Sequence, residues 1–498
     1  MKPFYITTPI YYVNGRPHIG HAYTTFAADT LARYWRQRGH EVVFLCGTDE
    51  NSQKNVEAAH KEGERDIQKF VDRMSAVWQE TWDSLGISHD VFVRTTSPEH
   101  KKAVTALAAK VWEAGDIYKG VYEGLYCVGC EAFLTDSDLE NGLCSIHRLP
   151  PKPIKEENYF FRLSKYRGRL LDHIEAHPKF IQPESRRNEL THYIANAMAD
   201  ISITRQSAEW GIPLPQDSSQ AIYVWFDALI NYLTGVGYGS DEKRFKKTWP
   251  ADLHLVGKDI IKFHCALWPA MLISVGLPLP ERVFAHGYFT VNGQKMGKSA
   301  GNDIDPTALA KEWGIDALRY FLLREIPFGE DGDFSLERFK ERYEGDLANG
   351  LGNFAARVLA MTEKYLDGRV PEVVSAPVED LWTAFNDAVE KLAFDEALRL
   401  IWLRIGECDR LINTEEPWVL AKTDKTRLER VLYILLENLR QVSLMLWPIM
   451  PETSEQILAR LGVLAIEKSE PLSERRVWGG LKPGTKVKKG DILFPKKS

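Results

Sequence analysis

At 498 residues, 44% hydrophobic and 11% aromatic, the chain is long enough to bury several cores and predicts three or four domains. A net charge of −6 gives no general affinity for nucleic acid, so any RNA contact must come from local basic patches. No run approaches the roughly 18 unbroken apolar residues of a membrane span, and the N-terminus has no signal-peptide pattern, which predicts a cytoplasmic protein.

Residues 4–12 read as a strand, followed by an Asn14-Gly15 turn signal and a helix with Ala27, Leu31 and Trp35 on one face. His18 and His21 fall in its first turn, i and i+3, beside free backbone N–H groups and the positive end of the helix dipole. Two imidazoles there can donate to phosphate oxygens. Gly20 between them leaves room for a flat ring against the backbone. Taken alone, the pair also reads as two surface histidines at a helix start. Residues 41–46 form the next strand, ending in Gly47-Thr48-Asp49, and helices follow near 50–62 and through Val71, Met74, Trp78, Trp82 and Leu85. Apolar strands alternating with helices predict a parallel sheet whose ligands bind beyond the strand C-termini. Asp49 at such an end is placed either to hold a substrate ammonium group or to cap the next helix.

From about residue 113 to 223 the composition changes. Cys127-Val128-Gly129-Cys130 and Cys144-Ser145-Ile146-His147 have the spacing of a four-ligand zinc site, three thiolates and one imidazole. A full ligand set leaves no open position, so the zinc reads as structural; a redox Cys-x-x-Cys is the alternative. Cys46, Cys265 and Cys408 are isolated and read as small buried hydrophobes.

The α/β pattern resumes with an apolar strand at 221–226 feeding Asp227, a strand at 253–257 ending in Gly257-Lys258-Asp259, a helix carrying Phe263, His264, Leu267 and Trp268, and a strand at 283–289. Tyr12, Trp225, Tyr232 and Trp268 read singly as core aromatics and jointly as the lining of an apolar amino-acid pocket. The doubly basic loop Lys295-Met296-Gly297-Lys298-Ser299 comes next. From about 351 the chain is all-helical. Leu381, Phe385, Val389 and Leu392 form one face, Leu398, Ile401, Trp402 and Ile405 a second, and Leu428, Leu432, Leu435, Leu439, Val442 and Leu446 a third, ended by Pro448. Residues 482–497, with six lysines against Asp491, read as a basic arm or as a solvated tail.

The histidine pair and the basic loop resemble the HIGH and KMSKS signatures of class I aminoacyl-tRNA synthetases. With Tyr223-Val224-Trp225-Phe226-Asp227-Ala228, Gly257-Lys258-Asp259-Ile260 and Pro417-Trp418-Val419-Leu420-Ala421-Lys422, the chain resembles, over essentially its whole length, the methionyl-tRNA synthetase family of the bacterial single-zinc-knuckle type. The resemblance implies a doubly wound, Rossmann-like α/β catalytic domain split by a zinc-containing insertion and followed by an all-α anticodon-binding bundle. The boundaries expected are 1–112 and 224–290 for the two catalytic halves, 113–223 for the insertion, 291–350 for the basic-loop region and 351–498 for the bundle. The implied reaction is ATP-dependent ligation of L-methionine to tRNA(Met) through a methionyl-adenylate, with one structural Zn²⁺ and with Mg²⁺ accompanying ATP.

The same resemblance implies residue roles. His18, Gly20, His21, Gly257, Asp259, His286, Phe289 and Lys298 match ATP-binding positions, with Lys295 beside them in the loop. Ile10, Tyr12, Asp49, Trp225, Ala228, Leu229, Tyr232, Ile260 and His264 match the methionine pocket, in which Asp49 holds the ammonium and Arg205 pairs with Asp49. Asn353, Arg357 and Trp418 match anticodon readers: a Trp stacks an unpaired base while Asn and Arg read its edge. The zinc ligands are Cys127, Cys130, Cys144 and His147.

Three departures from the family pattern stand out. Gly297 stands where the family has serine, which removes a hydroxyl contact and predicts slower adenylation. Asn51-Ser52 stands where many relatives have His-Gly. No appended dimer-forming domain follows the bundle, which predicts a monomer. Two other classes share parts of the pattern. A non-catalytic tRNA-binding paralogue is disfavoured by the intact histidine and lysine set. A small-molecule adenylyltransferase has no use for the zinc insertion or the bundle.

Overall fold

The computed structural model of the chain describes residues 2–134, 138–145, 148–206, 208–291, 293–296, 302–372, 381–463 and 472–497. The chain forms two compact units, Met1–Pro17 with Val42–His286, and His18–Glu41 with Gly287–Ser498.

The first unit is organised around a seven-stranded sheet, all of whose pairings are parallel. From one edge, the order is Ile181–Gln182, Val283–His286, Leu253–Gly257, Phe4–Thr7 and Val42–Asp49, with Tyr11–Tyr12 and Val91–Arg94 both pairing to Val42–Asp49. Seven of the eight residues of Val42–Asp49 are buried, as expected of a strand covered on both faces. Phe4–Thr7 has Val42–Asp49 on one side and Leu253–Gly257 on the other, so strand order reverses there. Ligands bind in open α/β sheets at the C-terminal edge of such a reversal. At that edge Tyr12 is in register with Asp49, and Gly257 with His286. Gly47 is required for the assembly, because a Cβ there would meet the Val93 carbonyl of the neighbouring strand at 2.1 Å.

Two stretches differ from the sequence reading. Residues 4–12 form two strands, Phe4–Thr7 and Tyr11–Tyr12, because Pro9 lacks the N–H that a continuous ladder needs. The apolar run 221–226 is not one strand: Asp217–Ile222 ends the strand and Val224–Ala228 is helical. Residues 222–226 are buried, and a short run that is apolar all round carries no period to separate strand from helix. The residues between the halves build their own antiparallel sheet, in which Lys152–Phe161 lies between Ile117–Cys127 and Ile201–Ser202, while Ala132–Leu134 pairs with the other side of Ile117–Cys127.

The second unit contains helix Ile19–Gln37 and the helices Pro306–Trp313, Ile315–Arg324, Asn353–Leu366, Trp382–Glu390, Phe394–Glu415, Pro417–Thr423, Lys425–Leu446 and Pro451–Arg460. The stripe from Leu428 to Leu446 is buried along its length, as its spacing predicts. Arg319 is fully buried in this unit. It donates to Asp29 Oδ2 (2.7 Å) and Thr30 Oγ1 (3.3 Å) on helix Ile19–Gln37, and to the carbonyls of Pro448 (3.0 Å) and Ile449 (2.6 Å). The charge of Asp29 is thereby matched and four of the five donors of the guanidinium are occupied, which is what a buried ion pair needs. The C-terminal segment is not a solvated tail. Val370 N–H donates to the Thr485 carbonyl, Lys489 N–H donates to Glu363, and Val487 and Phe494 are buried.

Candidate functional site

In the first unit Trp225, Tyr232 and His264 form one buried aromatic cluster. Trp225, Ala228 and Leu229 come from helix Val224–Ala228 and its C-cap, and Tyr232 from the next turn. Ile10 and Ile260 are half-buried, the first beside Tyr11–Tyr12 and the second in the turn Lys258–Ile260. Trp225 stacks on Phe263, with centroids 4.0 Å apart and planes within 6°. Phe263 carried no sequence signal beyond its helical spacing.

The polar atoms of this cluster are specified by their bonds. His264 Nδ1 lies 3.0 Å from the Ile260 carbonyl and must donate to it, so Nε2 carries the lone pair. The Tyr232 hydroxyl, 2.7 Å from Nε2, is therefore the donor. Burial holds His264 neutral, pushing its pKa down to about 4. His254 is held in the same way: its Nε2 accepts from Trp268 Nε1 at 3.4 Å, which leaves the Nδ1 proton for Thr7 Oγ1 at 2.7 Å. Two buried donors, Tyr12 Oη and Trp225 Nε1, have no hydrogen-bond partner among the described residues.

Asp49 is 3% exposed and faces further acids. Burial first, then the charges of Asp227, Glu131 and Glu50, hold its carboxyl well above the usual range, against a backbone N–H from Asn51. A buried carboxylate among carboxylates favours a cation. It is not the helix cap: Ser52 caps Gln53–Lys61 through its hydroxyl. The expected pairing of Arg205 with Asp49 is not formed. Arg205 bonds Glu156 at 3.1 Å and lies 4.4 Å above the Tyr126 ring, because strand Thr204–Arg205 runs beside the segment that carries Glu156. Burial raises the Glu131 carboxyl above its usual range, and the Arg205 charge is among the contributions that oppose this. Gly257 is buried beside His286 at the strand ends, and Asp259 is exposed on the following turn.

In the second unit His18 caps helix Ile19–Gln37. His18 Nδ1 accepts from Gly20 N–H (3.1 Å), and His21 Nδ1 accepts from His18 N–H (3.2 Å). Neutral rings so held carry their protons on Nε2, as donors suited to an anion. A Cβ on Gly20 would come within 2.9 Å of the His18 ring, which accounts for glycine there. The basic loop leaves from strand Gln294–Lys295, paired to Phe289–Val291, and Phe289 packs edge-on against Tyr23 of the histidine helix at 4.9 Å. Beyond the loop, the Ile304 carbonyl accepts from Ile19 N–H at 3.0 Å. Both ends of the loop are thus tied to the helix that begins with the histidines. Lys298 and Gly297 lie outside the described residues, as does the Lys295 side chain.

Cys127, Cys130 and Cys144 converge, with all three sulfurs within 4.8 Å of one another. Burial raises the Cys127 and Cys130 thiols, so thiolates there require a cation to balance them. Three converging thiols fit a tetrahedral soft-metal site; His147 lies outside the described residues. On the bundle, Trp418 is 42% exposed at the start of Pro417–Thr423. Asn353 is exposed one turn before Arg357. Arg357 bonds Asp409 and Asn413, each at 3.2 Å, on the helix that leads into Trp418.

A reversed parallel sheet and a histidine-capped helix bound to both ends of a basic loop define a class I aminoacyl-tRNA synthetase. The family model described as tRNA synthetases class I (M) matches residues 4–141 and 136–359, and that of the anticodon binding domain of methionyl tRNA ligase matches 370–498. The chain belongs to the methionyl-tRNA synthetase family. It is 47% identical to the methionine–tRNA ligase of Thermotoga maritima over 99% of this chain and 80% of that one. It is 42% identical to that of Streptomyces coelicolor, over 99% and 97%. Its structure matches Mycobacterium tuberculosis methionyl-tRNA synthetase in complex with methionyl-adenylate, with a TM-score of 0.95 and 41% identity, covering all of both chains.

Proposed function

We infer that this protein ligates L-methionine to tRNA(Met) in two steps. The methionine carboxylate attacks the α-phosphorus of ATP and pyrophosphate leaves. The ribose hydroxyl of the 3′-terminal adenosine then attacks the adenylate carbonyl and AMP leaves. No protein nucleophile is needed; catalysis is positioning and charge stabilisation. Asp49 binds the ammonium group. Trp225, Ala228, Leu229, Ile10 and Ile260 enclose the side chain, with Tyr232 and His264 at its polar end. An apolar slot discriminates by only about 1–3 kcal/mol per methylene, so the hydrogen-bonding groups carry the remaining selectivity. The single observation that favours this pocket is the buried Asp49 carboxyl facing Tyr12, whose hydroxyl, like Trp225 Nε1, has no hydrogen-bond partner among the described residues.

His18 and His21 donate from Nε2 to the phosphates, Lys295 and Lys298 balance the leaving pyrophosphate, and Gly257, Asp259, His286 and Phe289 hold the adenosine. Arg205, bonded to Glu156, orients the pocket from behind through Glu131. Mg²⁺ bound with ATP would supply phosphate charge neutralisation. Zn²⁺ held by Cys127, Cys130, Cys144 and His147 would fix the knuckle that has little core of its own. Asn353, Arg357 and Trp418 read the anticodon, in the cytoplasm where the tRNA pool is charged. Charging of a tRNA(Met) transcript with radiolabelled methionine tests the reading. Methionine- and ATP-dependent charging is expected, and no charging by folded, zinc-loaded protein overturns it.

A further inference from the structure

The residue after the first cysteine pair has a conformation and a burial that its type does not favour. The turn Val128-Gly129-Cys130-Glu131 closes through the Glu131 N–H, which donates to the Val128 carbonyl at 3.2 Å. Glu131 adopts φ +51°, in the left-handed region that side chains rarely enter, and is 1% exposed. Residues held in such conformations cluster at functional sites.

Glu131 meets two distant segments. Ser52 caps helix Gln53–Lys61 by accepting from the Asn55 N–H, and Glu131 Oε1 accepts from the Lys54 N–H at 2.7 Å. A helix start leaves its first N–H groups without partners in the helix, so an acceptor from outside suits it. The same helix start reaches back to the ammonium site, because Asn55 Nδ2 donates to the Asp49 carbonyl at 2.9 Å. The Lys54 ammonium lies 4.5 Å from the centre of the Tyr12 ring. On the other side, the Glu131 carbonyl accepts from the Tyr223 hydroxyl at 2.5 Å, and Tyr223 is the N-cap of helix Val224–Ala228, which carries Trp225. Glu131 Oε2 is bonded to the Tyr126 hydroxyl, which fixes the side chain between these contacts. One buried residue thus bonds both the segment that holds Asp49 and the segment that holds Trp225.

We propose that Glu131 is a positioning residue for the amino-acid site: it sets the separation between Asp49 and the Trp225 wall, so that a ligand with both an ammonium group and an apolar side chain meets both at once. The proposal rests on Asp49 and Trp225 as the methionine contacts. Fixed spacing matters only to such a two-ended ligand, since a ligand that uses one end follows whichever wall it binds. Asn51 Nδ2 also joins the two segments, donating to Asp227 Oδ2 at 2.8 Å, so losing the Glu131 bonds shifts the walls without parting them.

The test compares two competitive inhibitors of ATP–pyrophosphate exchange: L-methioninol, which has the thioether side chain and the ammonium group, and the same alcohol without its amino group. In Glu131→Ala the inhibition constant of methioninol rises about tenfold and that of the amine-free alcohol stays within about twofold, while KM for methionine rises with the first and KM for ATP is unchanged. Glu131→Gln keeps an oxygen for the Lys54 N–H and offers an amide N–H to the Tyr126 oxygen, so both inhibitors stay within about threefold of the parent. Equal losses for both inhibitors in Glu131→Ala, or no loss, overturn the proposal. A loss in Glu131→Gln as large as in Glu131→Ala also overturns it, because the carboxylate would then act through its charge. If Glu131→Ala fails to fold, Tyr223→Phe decides, since it removes only the hydroxyl that meets the Glu131 carbonyl: a loss confined to methioninol is expected, and an equal or absent change overturns the proposal. If the parent binds the two inhibitors equally, the Asp49 assignment itself fails; if the parent discriminates and Glu131→Ala discriminates as well, only this inference fails.

Discussion

In the first unit, Tyr232 and His264 are each 1% exposed and the His264 tautomer is fixed by two hydrogen bonds; in the second, Trp418 is 42% exposed and Arg357 is held at the surface by Asp409 and Asn413. Each region fits a recognition task, with opposite materials. The buried slot has few groups, each costly to leave unpaired, so a ligand lacking one matching atom is penalised by desolvation. The exposed surface offers stacking area and charge, which bind an extended partner without demanding dehydration. The buried region should therefore respond to single changes far more sharply than the exposed one.

The largest effect belongs to Asp49. Asp49→Asn removes the one charge offered to the ammonium group and costs about 3–5 kcal/mol in kcat/KM for methionine, on the order of two to four powers of ten. Pyrophosphate exchange measures it, and a loss under threefold would contradict the pocket assignment.

Next comes a pH effect on stability from His264. As pH falls, the unfolded ring takes its proton near 6.5, while the folded ring resists until about 4. The native state is therefore fully favoured by this group above about 6.5 and loses up to about 3 kcal/mol as pH falls to about 4. Denaturant melts of the parent and of His264→Gln should converge over that window; parallel curves would show that His264 is not held neutral.

Trp418→Ala is smaller, weakening tRNA binding by about 1–3 kcal/mol through lost stacking. KM for tRNA should rise while methionine-dependent exchange, which needs no tRNA, stays unchanged. A fall in exchange would show that the Trp418 surface acts on the first step. The smallest effect is Gly297→Ser, where restoring one hydroxyl contact worth about 0.5–1.5 kcal/mol should speed single-turnover adenylation by about threefold to tenfold. An unchanged rate would remove Gly297 as a cause of slow chemistry.

What could be read from the sequence was what local pattern encodes. The alternating strands and helices, the three bundle faces and the link between His18-Ile19-Gly20-His21 and the basic loop all follow from spacing or motif; the structure joins the last pair through Ile19 and Ile304. What depends on distant partners was not legible. Arg205 finds Glu156 across the insertion sheet, and no periodicity distinguishes that carboxylate from Asp49. The buried pairs His100–Asp227 and Arg319–Asp29 join residues 127 and 290 positions apart.

The central claim, that the slot around Trp225 admits methionine beside Asp49, is tested most directly by ATP–pyrophosphate exchange with methionine, isoleucine, leucine, valine and cysteine in turn. Exchange with methionine, well above each of the others, is the predicted result. Equal or stronger exchange with any other of the five would contradict the pocket as assigned.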